Sequence, residues 1–262
     1  MNGKENGAPP MTEEEALAPL KKKPSLLGRI WELVSVHRCH CCGIRVPRGE
    51  ILCEACGLDY AAAQDRRCGD CTRLLSECTC SMPYLAAHRV RRLHKLLPYK
   101  TGDLDNGVTR LLLRLKHCRP GVTFEFCADG LARAMEGRIA KKEDWVICHI
   151  PRSRGARNRY GYDQAQCLAK LLAERLEIPY CALLGRRRGV GAERGLTREE
   201  RRTRMQGAFY VKDAEQVWCR RILVLDDVVT SGAGLAAAAD ALYAAGARRV
   251  EGVALAVARR WK

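Results

Sequence analysis

Two spacings of apolar residues alternate along most of this chain. A continuous apolar run, of the kind that forms a strand buried on both faces, occurs at residues 222–225, and mostly apolar stretches at 145–150 and 250–257 also read as strands. Between them lie stretches whose apolar residues recur every three or four positions. These predict amphipathic helices over residues 105–117, 125–140, 163–176 and 235–245, the first with Val108, Leu111, Leu112 and Leu115 on one face. A short strand is expected over 180–184. Strands alternating with helices predict an α/β fold with a mostly parallel sheet. Nearer the amino terminus, Leu26, Leu27, Ile30, Leu33 and Val34 predict a helix over 25–36. It is short and its polar face is weakly basic, which favours packing on the segment that follows over lying on a membrane surface.

The stretches without such spacing divide the chain. Residues 1–24 mix Gly, Pro, a Glu run and Lys21-Lys22-Lys23 and are expected to be disordered. Residues 25–82 are taken as a small unit rich in cysteine, and 83–262 as the α/β domain. The basic, partly aromatic segment 84–100 reads as a linker. Residues 186–207 carry no strand pattern. Eight arginines crowd 186–204 against Glu193, Glu199 and Glu200, with glycines at 185, 189, 191 and 195. A long irregular segment is often a lid or binding element, although a solvated excursion has the same composition. Its second half, 197–205, reads as a short helix that Thr197 and Glu200 would close as a capping box.

The densest chemistry follows the run Ile222–Leu225. Asp226 and Asp227 stand at its end, then comes the turn Thr230-Ser231-Gly232, then Gly234 and a helix. In an open α/β sheet the carboxyl ends of the strands border the ligand crevice. A helix N-terminus there offers free N–H groups and the positive dipole end to a phosphate, and a glycine lets the ligand approach the backbone. Paired carboxylates accept hydrogen bonds from sugar hydroxyls or hold magnesium through water. The same residues also serve simply to cap a helix. Arg152, Arg154, Arg157 and Arg159 follow the strand over 145–150 and are expected at the same crevice, where guanidiniums can clamp a pyrophosphate.

Charge and cysteine usage sharpen this reading. Lys and Arg number 46 against 30 Asp and Glu, a net charge of +16 that attracts polyanions, membrane surfaces and phosphorylated ligands alike. No apolar stretch reaches the roughly 20 residues of a membrane span, and residues 1–19 lack the apolar core of a signal peptide. A cytoplasmic location is therefore expected, where thiols stay reduced. Nine of the 15 cysteines lie between Cys39 and Cys80. Cys39/Cys42, Cys53/Cys56 and Cys68/Cys71 are spaced as metal knuckles, and Cys78/Cys80 completes a set of eight. Eight thiolates suffice for two closed four-cysteine sites, with Cys41 left over. Zinc fits this spacing better than an iron–sulfur cluster, and a closed site is structural. His37 and His40 are near enough to be ligands, but the reading as solvated flanking histidines is preferred.

These blocks together resemble one family. The segment from Asp226 to Gly234 is similar to the ribose-phosphate loop of type I phosphoribosyltransferases. Pro151, Arg157, Arg159 and Gly161 to Ala165, then Gly195 to Arg198, Glu200 to Arg202 and Gly207 to Phe209, then Leu115-Lys116, resemble elements of the ComF family. Departures include Arg152-Ser153 for a Leu-His pair, Tyr160 for Arg, Asp163 for Asn, Ser231 for Thr and Gly234 for a frequent Thr. The resemblance implies a phosphoribosyltransferase-type sheet behind a double zinc ribbon. It implies that magnesium phosphoribosyl pyrophosphate is held by Asp226, Asp227, Thr230, Ser231, Gly232, Gly234, Arg157 and Arg159.

Three functions follow as expectations. The first is a binding protein that handles single-stranded DNA in the cytosol during competence and DNA uptake, with Arg198, Arg201 and Arg202 on the nucleic acid and a competence helicase or other uptake protein as partner. The second is an active transferase of ribose phosphate, for which no catalytic base can be named. The third is nucleotide salvage, disfavoured by the cysteine head. Tyr84, Tyr99, Tyr160 and Tyr162 are candidates for base stacking, with packing the preferred role for each.

Overall fold

The computed structural model describes residues 36–99, 106–118, 120–155, 161–189 and 197–258. In chain order its elements are α1 (Glu54–Gln64), α2 (Pro83–Ala87), β1 (Leu93–Pro98), α3 (Gly107–His117), α4 (Val122–Met135), a 3-10 turn (Lys142–Asp144), β2 (Trp145–His149), α5 (Gln164–Leu176), β3 (Leu184–Arg186), α6 (Arg198–Met205), β4 (Phe209–Val211), β5 (Arg221–Val229), α7 (Ala233–Ala244) and β6 (Arg249–Val257). Four strands form one parallel sheet in the order β1-β6-β5-β2, and β3 pairs antiparallel with β4. The expected α/β class with a mostly parallel sheet is thus the observed one.

Alternating side chains explain why both faces are covered. Ile147, Leu223, Leu225, Val253 and Leu255 point into one core, shared with Leu111 of α3, Phe124 and Leu131 of α4, Leu168 and Leu172 of α5, and Tyr60 of α1. Val146, Ile222, Val224, Val250 and Ala254 point into the other, shared with Leu85 of α2, Leu235 and Leu242 of α7, and Phe209. A sheet buried on both faces has no polar alternation, hence the mostly apolar runs. Three helix starts carry side-chain caps, and the one at Thr197 is the capping box expected from the sequence. Asn106 accepts from Val108 N at 2.8 Å, Asp163 accepts from Gln166 N at 3.4 Å, and Thr197 with Glu200 closes the capping box of α6.

Several boundaries differ from the sequence reading. The segment 84–100 is no linker, since it contains α2 and the edge strand β1. Lys95 stands in the middle of β1, 1% exposed, and donates from Nζ to the carbonyls of Cys80 (2.9 Å), Cys78 (3.0 Å) and Leu93 (3.2 Å). The helix expected over 125–140 runs Val122–Met135, stopped before Gly137, whose φ is +68°. In the segment 180–184, Tyr180 forms only an isolated bridge to Ile147, and the true strand is Leu184–Arg186. Strand β5 continues through the acids to Val229, so Asp226 and Asp227 sit within it rather than beyond it. The helix expected over 25–36, and the tail before it, lie outside the described residues.

The cysteine-rich part folds over the sheet's first edge. Cys39, Cys42, Cys53 and Cys56 form one group, and Cys68, Cys71, Cys78 and Cys80 a second; within each, the sulfurs all lie within 4.8 Å of one another. Among the described residues no helix is long and apolar enough to cross a membrane.

Candidate functional site

A cavity of about 230 Å³ opens at the carboxyl ends of β2 and β5. Asp226 and Asp227 form one wall. The turn Thr230-Ser231-Gly232 and the start of α7 form the opposite one, with Arg152, Arg186 and Arg201 around the rim. Gly232 has φ +79°, and a Cβ there would lie 3.0 Å from Leu85 Cγ, so the tight bend demands glycine. A Cβ on Gly234 would lie 4.0 Å from Asp226 Oδ2, which measures how closely acid and turn share the space. Ser231 is buried and its Oγ accepts from Ala233 N at 3.4 Å, tying the bend to the helix start.

Electrostatics at the acid wall are strained. Burial and the neighbouring Asp227 push the Asp226 carboxyl well above the usual carboxylate range. Burial also raises Asp163, which caps α5 and accepts from Arg152 N at 2.8 Å. Arg152 meets this concentration of acid directly, with Nη2 2.5 Å from Asp227 Oδ2. The acid wall therefore carries a charge demand that a guanidinium answers here and that a divalent cation would equally answer.

Sequence reasoning placed Arg198, Arg201 and Arg202 on a nucleic-acid track. In the fold, Arg201 lines the cavity and donates from Nη1 to Thr230 Oγ1 at 3.3 Å. Arg202 stacks 4.0 Å above the Tyr84 ring and pairs with Glu199 at 3.0 Å. Only Arg198 of the three is exposed with neither contact. Arg157 and Arg159 lie outside the described residues, while Arg154 is exposed. Arg152, expected at this crevice from the sequence, lines the cavity with Asp227 as its partner, and Arg186, which the sequence places only in the charged segment 186–204, lines it too. Burial lowers Arg186, which donates from Nη1 to Pro151 O at 3.4 Å. The strand that ends on it, β3, has only three residues, too few to read from periodicity.

The cysteine groups fit a tetrahedral metal. Cys42 Sγ and Cys53 Sγ are 3.6 Å apart, and Cys71 Sγ and Cys78 Sγ 3.5 Å. Four sulfurs about 2.3 Å from a zinc ion would lie about 3.8 Å apart, so little movement would close either site. Neither His37 nor His40 joins a group; His40 Nδ1 instead meets Thr123 Oγ1. Cys41 stays outside the first group, its thiol pushed up to about 12 by burial. Among the described residues every cysteine is free of disulfides.

No family model and no curated protein matches the chain. Solved structures that it resembles include the allosteric regulatory enzyme of purine biosynthesis, at 20% identity over 50% of this chain and 25% of that one, TM-score 0.34. Others are the hypoxanthine-guanine phosphoribosyl transferase of L. donovani (19%, 50% of this chain and 67% of that one, TM-score 0.28) and the glutamine phosphoribosylpyrophosphate amidotransferase of B. subtilis complexed with ADP and GMP (18%, 66% and 30%, TM-score 0.32). The match thus spans from a quarter to two thirds of those chains, and at these identities and TM-scores it carries no argument about what this chain binds.

Proposed function

We propose that the cavity between β5 and α7 binds phosphoribosyl pyrophosphate with magnesium. The observation that carries the reading is that paired acids and a glycine-bent helix start face one another across a single space, with Gly234 close to Asp226 Oδ2. Backbone N–H groups from Gly232 to Gly234, with the Thr230 and Ser231 hydroxyls, would hold the 5′-phosphate. Asp226 and Asp227 would take the ribose hydroxyls. Arg152, joined by Arg157 and Arg159 of the following segment, would turn to the pyrophosphate once magnesium or the sugar relieves Asp227.

A transfer reaction would break the bond from ribose C1 to pyrophosphate, which leaves with the electron pair, and form a bond from C1 to a nucleophile. Charge stabilisation and positioning would supply the rate, so the site needs no covalent residue. Each cysteine group would hold one zinc ion through its four thiolates, Cys39, Cys42, Cys53 and Cys56 in the first and Cys68, Cys71, Cys78 and Cys80 in the second. Zinc there would supply cross-linking and no open coordination position.

A second reading, handling of single-stranded DNA during competence, rests on the ComF resemblance and the +16 charge. Calorimetry with magnesium phosphoribosyl pyrophosphate tests the first reading. Native protein should give a saturable heat and the Asp226→Asn/Asp227→Asn double variant none. Equal heats from both would remove the proposal.

A further inference from the structure

Three neighbouring strands of the parallel sheet open on the same dipeptide. Arg91-Arg92 precedes β1, Arg248-Arg249 leads into β6, and Arg220-Arg221 leads into β5. Arg221 and Arg249 are register partners, while Leu93 pairs with Gly252, which sets Arg91-Arg92 two residues further along, opposite Val250-Glu251; the three pairs cluster, staggered, at the amino-terminal edge of the sheet. Strands lie about 4.8 Å apart, so this staggered group of cations spans about 10 Å across three strands, and its β5 pair lies roughly 20 Å from Asp227. Arg89 adds a seventh cation, stacked 3.6 Å over the Tyr243 ring. A cavity of about 530 Å³ opens among Arg89, Arg91, Arg92, Arg248 and Arg249.

Such a cluster is costly unless something answers it, because like charges on adjacent strands repel. The protein answers part of it. Buried Glu251 takes Arg249 at 2.6 Å and His94 Nε2 at 2.8 Å, and Arg221 reaches Asp144 at 3.9 Å. Among the described residues no carboxylate pairs with Arg91, Arg220 or Arg248, and all three are exposed. Beside them stands Trp218, 68% exposed. Its ring rests on Gly246, whose φ is +90° and where a Cβ would come within 2.3 Å of Trp218 Cε3, so any other residue would dislodge it. Backbone bonds from Cys219 N to Gly246 O (3.0 Å) and from Arg248 N to Arg220 O (2.9 Å) hold the ring and the arginines on one surface. An indole braced on one side and bare on the other is a platform for an unpaired base.

We propose that this amino-terminal edge binds the phosphate backbone of a single-stranded nucleic acid, with a base stacked on Trp218. A cluster of guanidiniums matches successive phosphates, and the platform selects bases over bare phosphate chains. The inference is independent of the sugar-phosphate reading, because it uses the opposite edge of the sheet. It gives the second reading a definite surface, distinct from Arg198, Arg201 and Arg202.

Fluorescence anisotropy of a labelled 20-nucleotide single strand, titrated with full-length protein at several salt concentrations, tests it. The Arg91→Ser/Arg220→Ser/Arg248→Ser variant should bind at least tenfold more weakly, and its log–log salt slope should be shallower by about 2, at roughly 0.7 per lost phosphate contact. Trp218→Ala should weaken binding about five- to hundredfold. Both variants should keep native circular dichroism and the native heat with phosphoribosyl pyrophosphate. Unchanged affinity and slope in the triple variant would overturn the proposal. So would loss of binding only in an Arg198→Ser/Arg202→Ser variant, which would leave the DNA-handling reading standing at another surface. Inorganic polyphosphate competing equally, with Trp218→Ala silent, would also overturn it in favour of a general anion trap.

Discussion

Replacing Lys95 with Met tests how the sheet is joined to the cysteine groups. The swap nearly conserves volume, so packing changes little. What disappears is an ammonium with three carbonyl partners, two of them on Cys78 and Cys80. Hydrogen bonds from a charged donor contribute about 1.5–3 kcal/mol each, or about 5–9 kcal/mol for three. Relief from burying a charge returns several kcal/mol, leaving a net loss of about 3 kcal/mol. That is a large share of the roughly 5–15 kcal/mol that holds a typical domain together. A second effect is local. Four thiolates around a divalent ion carry net negative charge, and Lys95, which donates to Cys78 O, favours the Cys78 thiolate against the upward push of burial. Urea unfolding followed by circular dichroism should show the loss. Metal release to a chromophoric chelator should become biphasic, with the group at Cys68, Cys71, Cys78 and Cys80 emptying first. A variant within about 0.5 kcal/mol of the native protein, releasing metal at one native rate, would refute the reasoning.

Other expected outcomes follow from the same geometry. Metal analysis should find two zinc ions per chain, and Cys42→Ser should reduce this to one. Asp226→Asn should raise the melting temperature of the ligand-free protein at pH 7: with its carboxyl raised in the folded state, the native protein holds an extra proton from the ordinary carboxylate pKa up to the raised one, and its stability falls as pH climbs through that window. The same substitution should abolish the heat of ligand binding. Thr197→Ala should cost about 1 kcal/mol through loss of the capping box and loosen Arg201 from Thr230, read as weaker ligand binding at unchanged β-sheet signal.

The sheet is legible where its strands are buried on both faces, because β2, β5 and β6 are mostly apolar, each with few polar residues inside the run. β1 was not legible for a physical reason: its central residue is a lysine that looks like a linker charge until three carbonyls close around it. The hairpin β3–β4 has strands too short to show a period. At the site, acids and turn were readable because they follow one strand directly. The partnership of Arg152 with Asp227 joins residues 75 positions apart, which no local spacing encodes. The arginine pairs stand far apart along the chain, and only the order β1-β6-β5 gathers 91, 220 and 248 at one edge of the sheet.

Strand order also has a consequence during synthesis. β1 pairs with β6, the last of the described strands to be made. At typical elongation rates the roughly 150 residues between them take about 8–30 s to emerge from the ribosome. Throughout that interval the first strand has no lateral partner, and its apolar side chains are a hazard for aggregation. The cysteine groups are complete by Cys80, before β1 begins, and can close on metal at once. A nascent chain starved of zinc should therefore misassemble before its crevice exists, and be recovered as chaperone-bound or aggregated protein rather than as folded protein lacking metal.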